Sequence, residues 1–195
     1  MDYRLEQWIN APAGHSAALD AVMRDAANWG QWIFGGIVVA WFLYAWLAGG
    51  AADRRDALAA LLSAVIALGI NQLISTIWDR PRPFVAHPGS VHVLLASSRD
   101  AGFPSDHAAA GFAIATVVVL AHRRWGTLAL AAAALMSYAR VFDGLHYPGD
   151  VLAGAVIGVG VGCALMRWGA GPLAAIQTRV DATARALRLP VPRAP

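Results

Sequence analysis

The spacing Arg140-x5-His146-x3-Asp150 sets a guanidinium, an imidazole and a carboxylate against an apolar run that begins at Val151. An arginine this near hydrocarbon costs up to about 2.5–3.5 kcal/mol at mid-membrane, so it should have a partner or a function. His146 and Asp150 are four residues apart, with Pro148 and Gly149 between them at an expected helix start. A carboxylate placed there can accept the Nδ1 proton and leave Nε2 as a free lone pair, the orienting logic of catalytic triads. That arrangement prepares a nucleophilic imidazole.

Two other stretches carry complementary groups. Pro104-Ser105-Asp106-His107 places Ser105 at an expected helix start, where unpaired N–H groups and the positive dipole end favour an anion. Alone, Ser105 reads first as a plain N-cap, and His107 equally as a hydrogen-bonded structural histidine. Arg80-Pro81-Arg82-Pro83 ends a helix with two arginines, which alone is an interfacial stop signal. Guanidinium forks match phosphoryl oxygens and keep their charge at neutral pH. Joined, the three stretches supply two histidines, an orienting carboxylate, a serine and several arginines, and phosphoryl transfer to histidine uses them all.

The elements that position these groups are membrane spans. Hydrophobic residues make up 58% of the 195-residue chain and charged ones 14%, against about 25% charged in soluble domains. Five segments approach the roughly 20 apolar residues needed to cross a bilayer, at about 30–49, 57–78, 105–122, 126–142 and 149–168. Trp29, Trp32, Trp46, Trp78, Trp125 and Trp168 fall near their ends, at the depth indoles prefer. The loops at Asp53-Arg54-Arg55-Asp56 and His122-Arg123-Arg124 share one side with Arg167 and arginines 179, 185, 188 and 193, which makes that side cytoplasmic by the positive-inside rule. The three polar stretches collect on the opposite face. The expected fold is an all-α, polytopic bundle of about five transmembrane helices with short amphipathic surface helices at both ends.

The chain reads as one unit over 1–195: an amphipathic segment over 1–28, a bundle over 29–168 and an amphipathic cytoplasmic tail over 169–195. Leu19, Val22, Met23 and Ala26, and likewise Leu173, Ile176, Val180 and Leu187, recur at helical spacing and suggest surface packing or lipid anchoring. Gly154, Gly158 and Gly162 form a small-residue face for close helix contact. Cys163 stands alone, so no intrachain disulfide forms, and no cleavable signal peptide is expected at the N-terminus. All 15 basic residues are arginine. Chemistry that needs a lysine is excluded.

The three stretches together resemble the signature of the type 2 phosphatidic acid phosphatase superfamily, which also includes the vanadium haloperoxidases. The details "RPRPF", "FPSDH" and "ARVFDGLHYPGD" are most similar to the bacitracin-resistance branch, the undecaprenyl-diphosphate phosphatases. The resemblance implies that His146 attacks phosphorus, Asp150 orients it and His107 protonates the leaving oxygen. Arg82, Ser105 and Arg140 would hold the phosphate with a backbone N–H of Asp106 or His107, and no metal or other cofactor is implied. Two departures stand out. A family lysine position falls on Ser75 counted from Arg82, or on Leu73 counted from Arg80, so that phosphate contact is either absent or replaced, with Arg80 as the candidate replacement. Asp106 occupies a place usually held by glycine, and it is read as a subgroup mark that orients an arginine.

The implied activity is hydrolysis of undecaprenyl diphosphate to the monophosphate and phosphate through a phosphohistidine, which recycles the cell-wall lipid carrier and confers bacitracin resistance. The implied partners are a polyprenyl diphosphate and the bilayer, not nucleic acid. The location is the bacterial cytoplasmic membrane, with the site facing outward. Phosphatidate or phosphatidylglycerophosphate are alternative substrates, and a transporter subunit is the non-enzymatic alternative. A zinc site built from His107, His146 and Asp150 is disfavoured because clustered arginines repel a cation and attract an anion. The loop over 84–103, with His87, His92 and Arg99, is expected to border the pocket without joining the site.

Overall fold

The computed structural model describes residues 1–96 and 99–187, so arginines 188 and 193 lie outside the described residues. The described chain forms eight helices and no strand: α1 (Asp2–Asn10), α2 (Ala17–Leu47), α3 (Ala51–Ile77), α4 (Pro83–Ala86), α5 (Asp106–Ala121), α6 (Arg123–Phe142), α7 (Pro148–Trp168) and α8 (Ala170–Ala186). Four of them, α2, α3, α6 and α7, are long and apolar enough to cross a membrane. The helical bundle is a membrane protein. Apolar side chains such as Val39, Leu43, Leu128, Leu152 and Val156 cover its outside, as expected where lipid is the solvent.

The fifth apolar segment, α5, has only 16 residues, about 24 Å against roughly 30 Å of hydrocarbon. It need not meet lipid along its length, because it is the central helix, packed most extensively against α7 and then α6 and α3. Its Ala108, Ala109, Ala113 and Ala115 are fully buried. The facing stripe of α7 is Gly154, Gly158 and Gly162. A Cβ at Gly158 would stand 2.8 Å from Ala113 N and one at Gly162 2.9 Å from Thr116 Cβ, while one at Gly154 would collide with the Ser105 carbonyl. The backbones therefore touch, and Ser105 N donates to Asp150 O at 3.0 Å. A second core of Phe34, Val38, Ile114, Met136 and Leu173 joins α2, α5, α6 and α8.

The N-terminal end differs from expectation, while α8 is the surface helix expected at the other end. Residues 17–28 do not form a separate surface helix: with Ser16 as N-cap they continue into the first span as one 31-residue helix. No proline interrupts it, and nothing else in the segment breaks the backbone ladder. In α8 only Leu173 of the predicted apolar stripe is buried, while Ile176 and Val180 are partly exposed. Helix α1 is inverted: Glu6 and Asn10 are buried, whereas Leu5 and Trp8 point outward. Its polar face is turned toward the protein.

Candidate active site

Four segments bring the polar stretches to one end of the bundle. Pro83 stops the loop after α3 and starts α4, with Arg82 as its N-cap. Asp106 and His107 open α5, Arg140 lies in the last turn of α6, and Asp150 occupies the first turn of α7 behind Tyr147. Gly144 at φ +72° turns the chain between α6 and α7, a conformation that glycine adopts at little cost. His146 is thereby carried back toward Arg140, and its N–H donates to the Arg140 carbonyl at 3.3 Å.

His146 is almost fully buried. Its Nδ1 is 2.9 Å from the Gly102 carbonyl and 3.7 Å from Asp150 Oδ2. The carbonyl can only accept, so Nδ1 bears the proton and Nε2 the lone pair. Nε2 lies 3.0 Å from Arg82 Nη1 and 3.4 Å from Arg140 Nη2. Guanidinium groups can only donate, which demands the same tautomer. Burial, with Arg140 and Arg82 beside it, lowers the His146 pKa well below its ordinary 6.5, because each penalises a further positive charge. The ring is neutral at neutral pH.

Asp150 stands behind the ring, fully buried. Its Oδ2 accepts from Tyr147 N at 2.8 Å, and its Oδ1 from Arg80 Nη1 at 2.7 Å. The Nδ1 acceptor expected from sequence is thus a main-chain carbonyl, with the carboxylate in the next layer. Arg80 also donates to Asp2 Oδ2 at 2.8 Å and lies over the Tyr147 ring at 4.0 Å. It faces Asp150 and α1.

His146, Arg82, Arg140, His107 and Asp106 line one cavity of about 730 Å³, together with residues of α2 and α3 and with Leu95, Ala96, Asp100 and Ala101. The structure therefore joins five of the eight predicted site residues around one space and sets Asp150 and Arg80 behind it. Ser105 is fully buried, and its Oγ has no protein partner among the described residues, as is true of Arg140 Nε. An unpaired buried hydroxyl or guanidinium N–H costs about 1–3 kcal/mol, so both atoms have hydrogen-bonding capacity left over. The Asp106 carboxylate accepts from Asn71 Nδ2 at 3.0 Å, so its orienting partner is an amide.

Four contributors were missed as site residues, three of them illegible in the sequence. Asp100 holds the Arg82 guanidinium through Nε and Nη2 at 3.2 and 3.0 Å. Asp2 caps Gly149 N at 2.9 Å as well as pairing Arg80. Gly102 acts through its carbonyl, which no side-chain pattern reveals. Asn71 did carry a signal, being a polar residue in an apolar helix.

The comparisons with known proteins agree with this geometry. The PAP2 superfamily model matches residues 56–171. Undecaprenyl-diphosphatase BcrC of Bacillus subtilis is 32% identical over 168 residues, covering 86% of this chain and 84% of that protein. Decaprenylphosphoryl-5-phosphoribose phosphatase of Mycobacterium tuberculosis is 32% identical over 162 residues, covering 82% and 88%. The crystal structure of Aquifex aeolicus LpxE superposes with a TM-score of 0.72 at 23% identity, over 86% of this chain and 95% of that one. With a family match over more than half its length and relatives that align almost end to end, the chain belongs to the PAP2 superfamily and is a membrane phosphatase of that type.

Proposed function

We propose that this protein hydrolyses undecaprenyl diphosphate to undecaprenyl phosphate and phosphate. The observation that carries the chemistry is the His146 lone pair held between two guanidinium groups inside a cavity. On binding, a terminal phosphoryl group takes the position between Arg82 and Arg140, whose donors move from Nε2 to its oxygens. Nε2 attacks phosphorus, the N–P bond forms and the P–O bond to the bridging oxygen breaks. The electron pair leaves on that oxygen with undecaprenyl phosphate, and His107 donates the proton a leaving oxygen needs. Water then attacks the phosphohistidine and passes a proton to His107, which restores it, as the N–P bond breaks and phosphate departs. Across both steps one water is consumed.

The other residues act on these two. Ser105 Oγ and the first N–H groups of α5 receive phosphoryl oxygens. Asp150, braced by Arg80, stabilises the positive charge that forms on His146 as the N–P bond is made. Arg80 thus serves the carboxylate, not the phosphate. The substrate reading rests on the resemblance of the sequence stretches and on the BcrC relative. A second reading, a phosphomonoester lipid, is favoured by the similarity to the decaprenylphosphoryl-5-phosphoribose phosphatase. Location in the cytoplasmic membrane with the site outward is supported by arginines 54, 55, 123, 124 and 167 at the other end of the bundle. Recycling of the cell-wall carrier and bacitracin resistance follow from that substrate and that face.

The test is phosphate release by purified protein in detergent with EDTA, from undecaprenyl diphosphate, phosphatidate and phosphatidylglycerophosphate in parallel. Preference for the diphosphate, undiminished by EDTA and lost in His146→Ala by about three orders of magnitude or more, is the expected result. Release mainly from a glycerolipid would overturn the substrate. Release from none by a folded sample would overturn the enzyme reading.

A further inference from the structure

The cavity has two walls of different chemistry. One is cationic, with Arg82 and Arg140 around His146. The other is built by α2 and α3 and presents Asn28 and Gln31 from the first and Gln72 from the second. Asn28 and Gln31 are i and i+3, so both lie on one face of α2. None of these three side chains makes a hydrogen bond among the described residues. The neighbouring hydroxyls are occupied, since Ser75 and Thr76 donate to Gln72 O and Leu73 O at 3.0 and 2.7 Å. All three are solvent-exposed residues on the cavity wall, with their amide donors free to meet what enters. A polar ligand would engage them.

We infer that Asn28, Gln31 and Gln72 form the subsite for the phosphoryl group that is not attacked, the leaving phosphate of a diphosphate head. This rests on the diphosphate reading above. The His146 end of the cavity has donors for one phosphoryl group, yet a volume of about 730 Å³ admits a second. The acidic lining is already engaged, Asp100 with Arg82 and Asp106 with Asn71. A substrate whose tail lies in the bilayer approaches from the α2–α3 side, so its inner phosphate meets the amide wall while the terminal one reaches Arg140.

Neutral donors suit that position for two reasons. Charge accumulates on the bridging oxygen and its phosphate as the P–O bond breaks, and preformed N–H donors stabilise it there. An amide also holds the departing monophosphate less firmly than a cation would, which favours release in a chain whose basic residues are all arginine and are placed elsewhere. A phosphomonoester brings no phosphoryl group to this wall. The wall therefore discriminates between the two substrate classes.

The experiment compares kcat/KM for undecaprenyl diphosphate and for phosphatidate in wild type, Gln31→Leu, Gln72→Leu and the double variant. The ratio of the two values should fall by about 10²- to 10⁴-fold in the double variant, the scale of two lost hydrogen bonds to a charged group. A merely structural role lowers both rates together, and an unchanged ratio would overturn the inference. If a leucine variant fails to fold, Asn28→Ala and Gln72→Ala provide the same ratio. A wild-type protein that shows no preference for the diphosphate would overturn the diphosphate reading itself and this subsite with it.

Discussion

His146 and His107 face the same cavity with different tasks, and the substrate decides how much the second matters. A diphosphate leaves as a phosphate monoester, which bears the departing charge well. A phosphatidate leaves as an alkoxide, which needs a proton. His107→Ala should therefore cost phosphatidate hydrolysis about 10²–10⁴-fold in the first chemical step and the diphosphate markedly less. Single-turnover phosphohistidine formation with each substrate measures this, and equal losses would remove His107 from leaving-group protonation. The low pKa of His146 means the nucleophile stays unprotonated as pH falls from 8 through 6.5. At this scale the sequence was most informative, because Arg140, His146 and Asp150 are costly in an apolar chain and so stand out. It was blind to the Gly102 carbonyl, since every residue offers the same main-chain acceptor.

At the scale of elements, α1 holds the site from behind. Asp2, Glu6 and Asn10 recur at i, i+4, i+8 and face the loops around His146. Asn10 Nδ2 donates to the carbonyls of Phe142 and His92 at 2.7 and 2.8 Å, and its Oδ1 accepts from His92 N at 2.8 Å. Tyr3 stacks on His87 at 3.6 Å between ring centres. Asp2 thus fixes Arg80, which fixes Asp150. Asp2→Asn should lower kcat by about 10-fold while leaving KM within about twofold, because the pair acts on charge formed in the transition state. A raised KM with unchanged kcat would instead make α1 part of substrate binding. None of this was legible in the sequence, where Asp2 is 78 residues from Arg80 and 147 from Gly149. The spans were legible because their apolar length is a local property. Where α2 begins was not: Asp20, Arg24 and Asp25 make its first turns polar, although nothing there stops a helix.

For the molecule as a whole, buried ionisable groups outside the spans make stability depend on pH in opposite senses. Glu6 is fully buried, with neither carboxylate oxygen partnered among the described residues, and burial raises its pKa from 4.5 to about 7. The folded protein keeps a proton that the unfolded chain releases, so this contribution falls as pH rises from about 4.5 through 7. Asp143 behaves alike, raised by burial to about 6. His146 acts the other way, and its contribution falls as pH drops through the unfolded value of 6.5. Glu6→Gln should stabilise the protein at pH 7 and above by on the order of 1–3 kcal/mol and leave it unchanged near pH 4.5. Thermal unfolding in detergent across that range reads the difference. A gain that does not vary with pH would show that Glu6 does not titrate with folding.

The glycine face of α7 against α5 has a consequence for the surrounding bilayer. Because those backbones touch, Ser105 and His107 cannot shift relative to His146 and Asp150 when the membrane thins or thickens. Helices α2 and α3 meet lipid along much of their length, and they absorb such mismatch by tilting. Lipids of differing chain length would then alter how readily substrate enters, while the rate of the chemical step, once it is seated, stays constant.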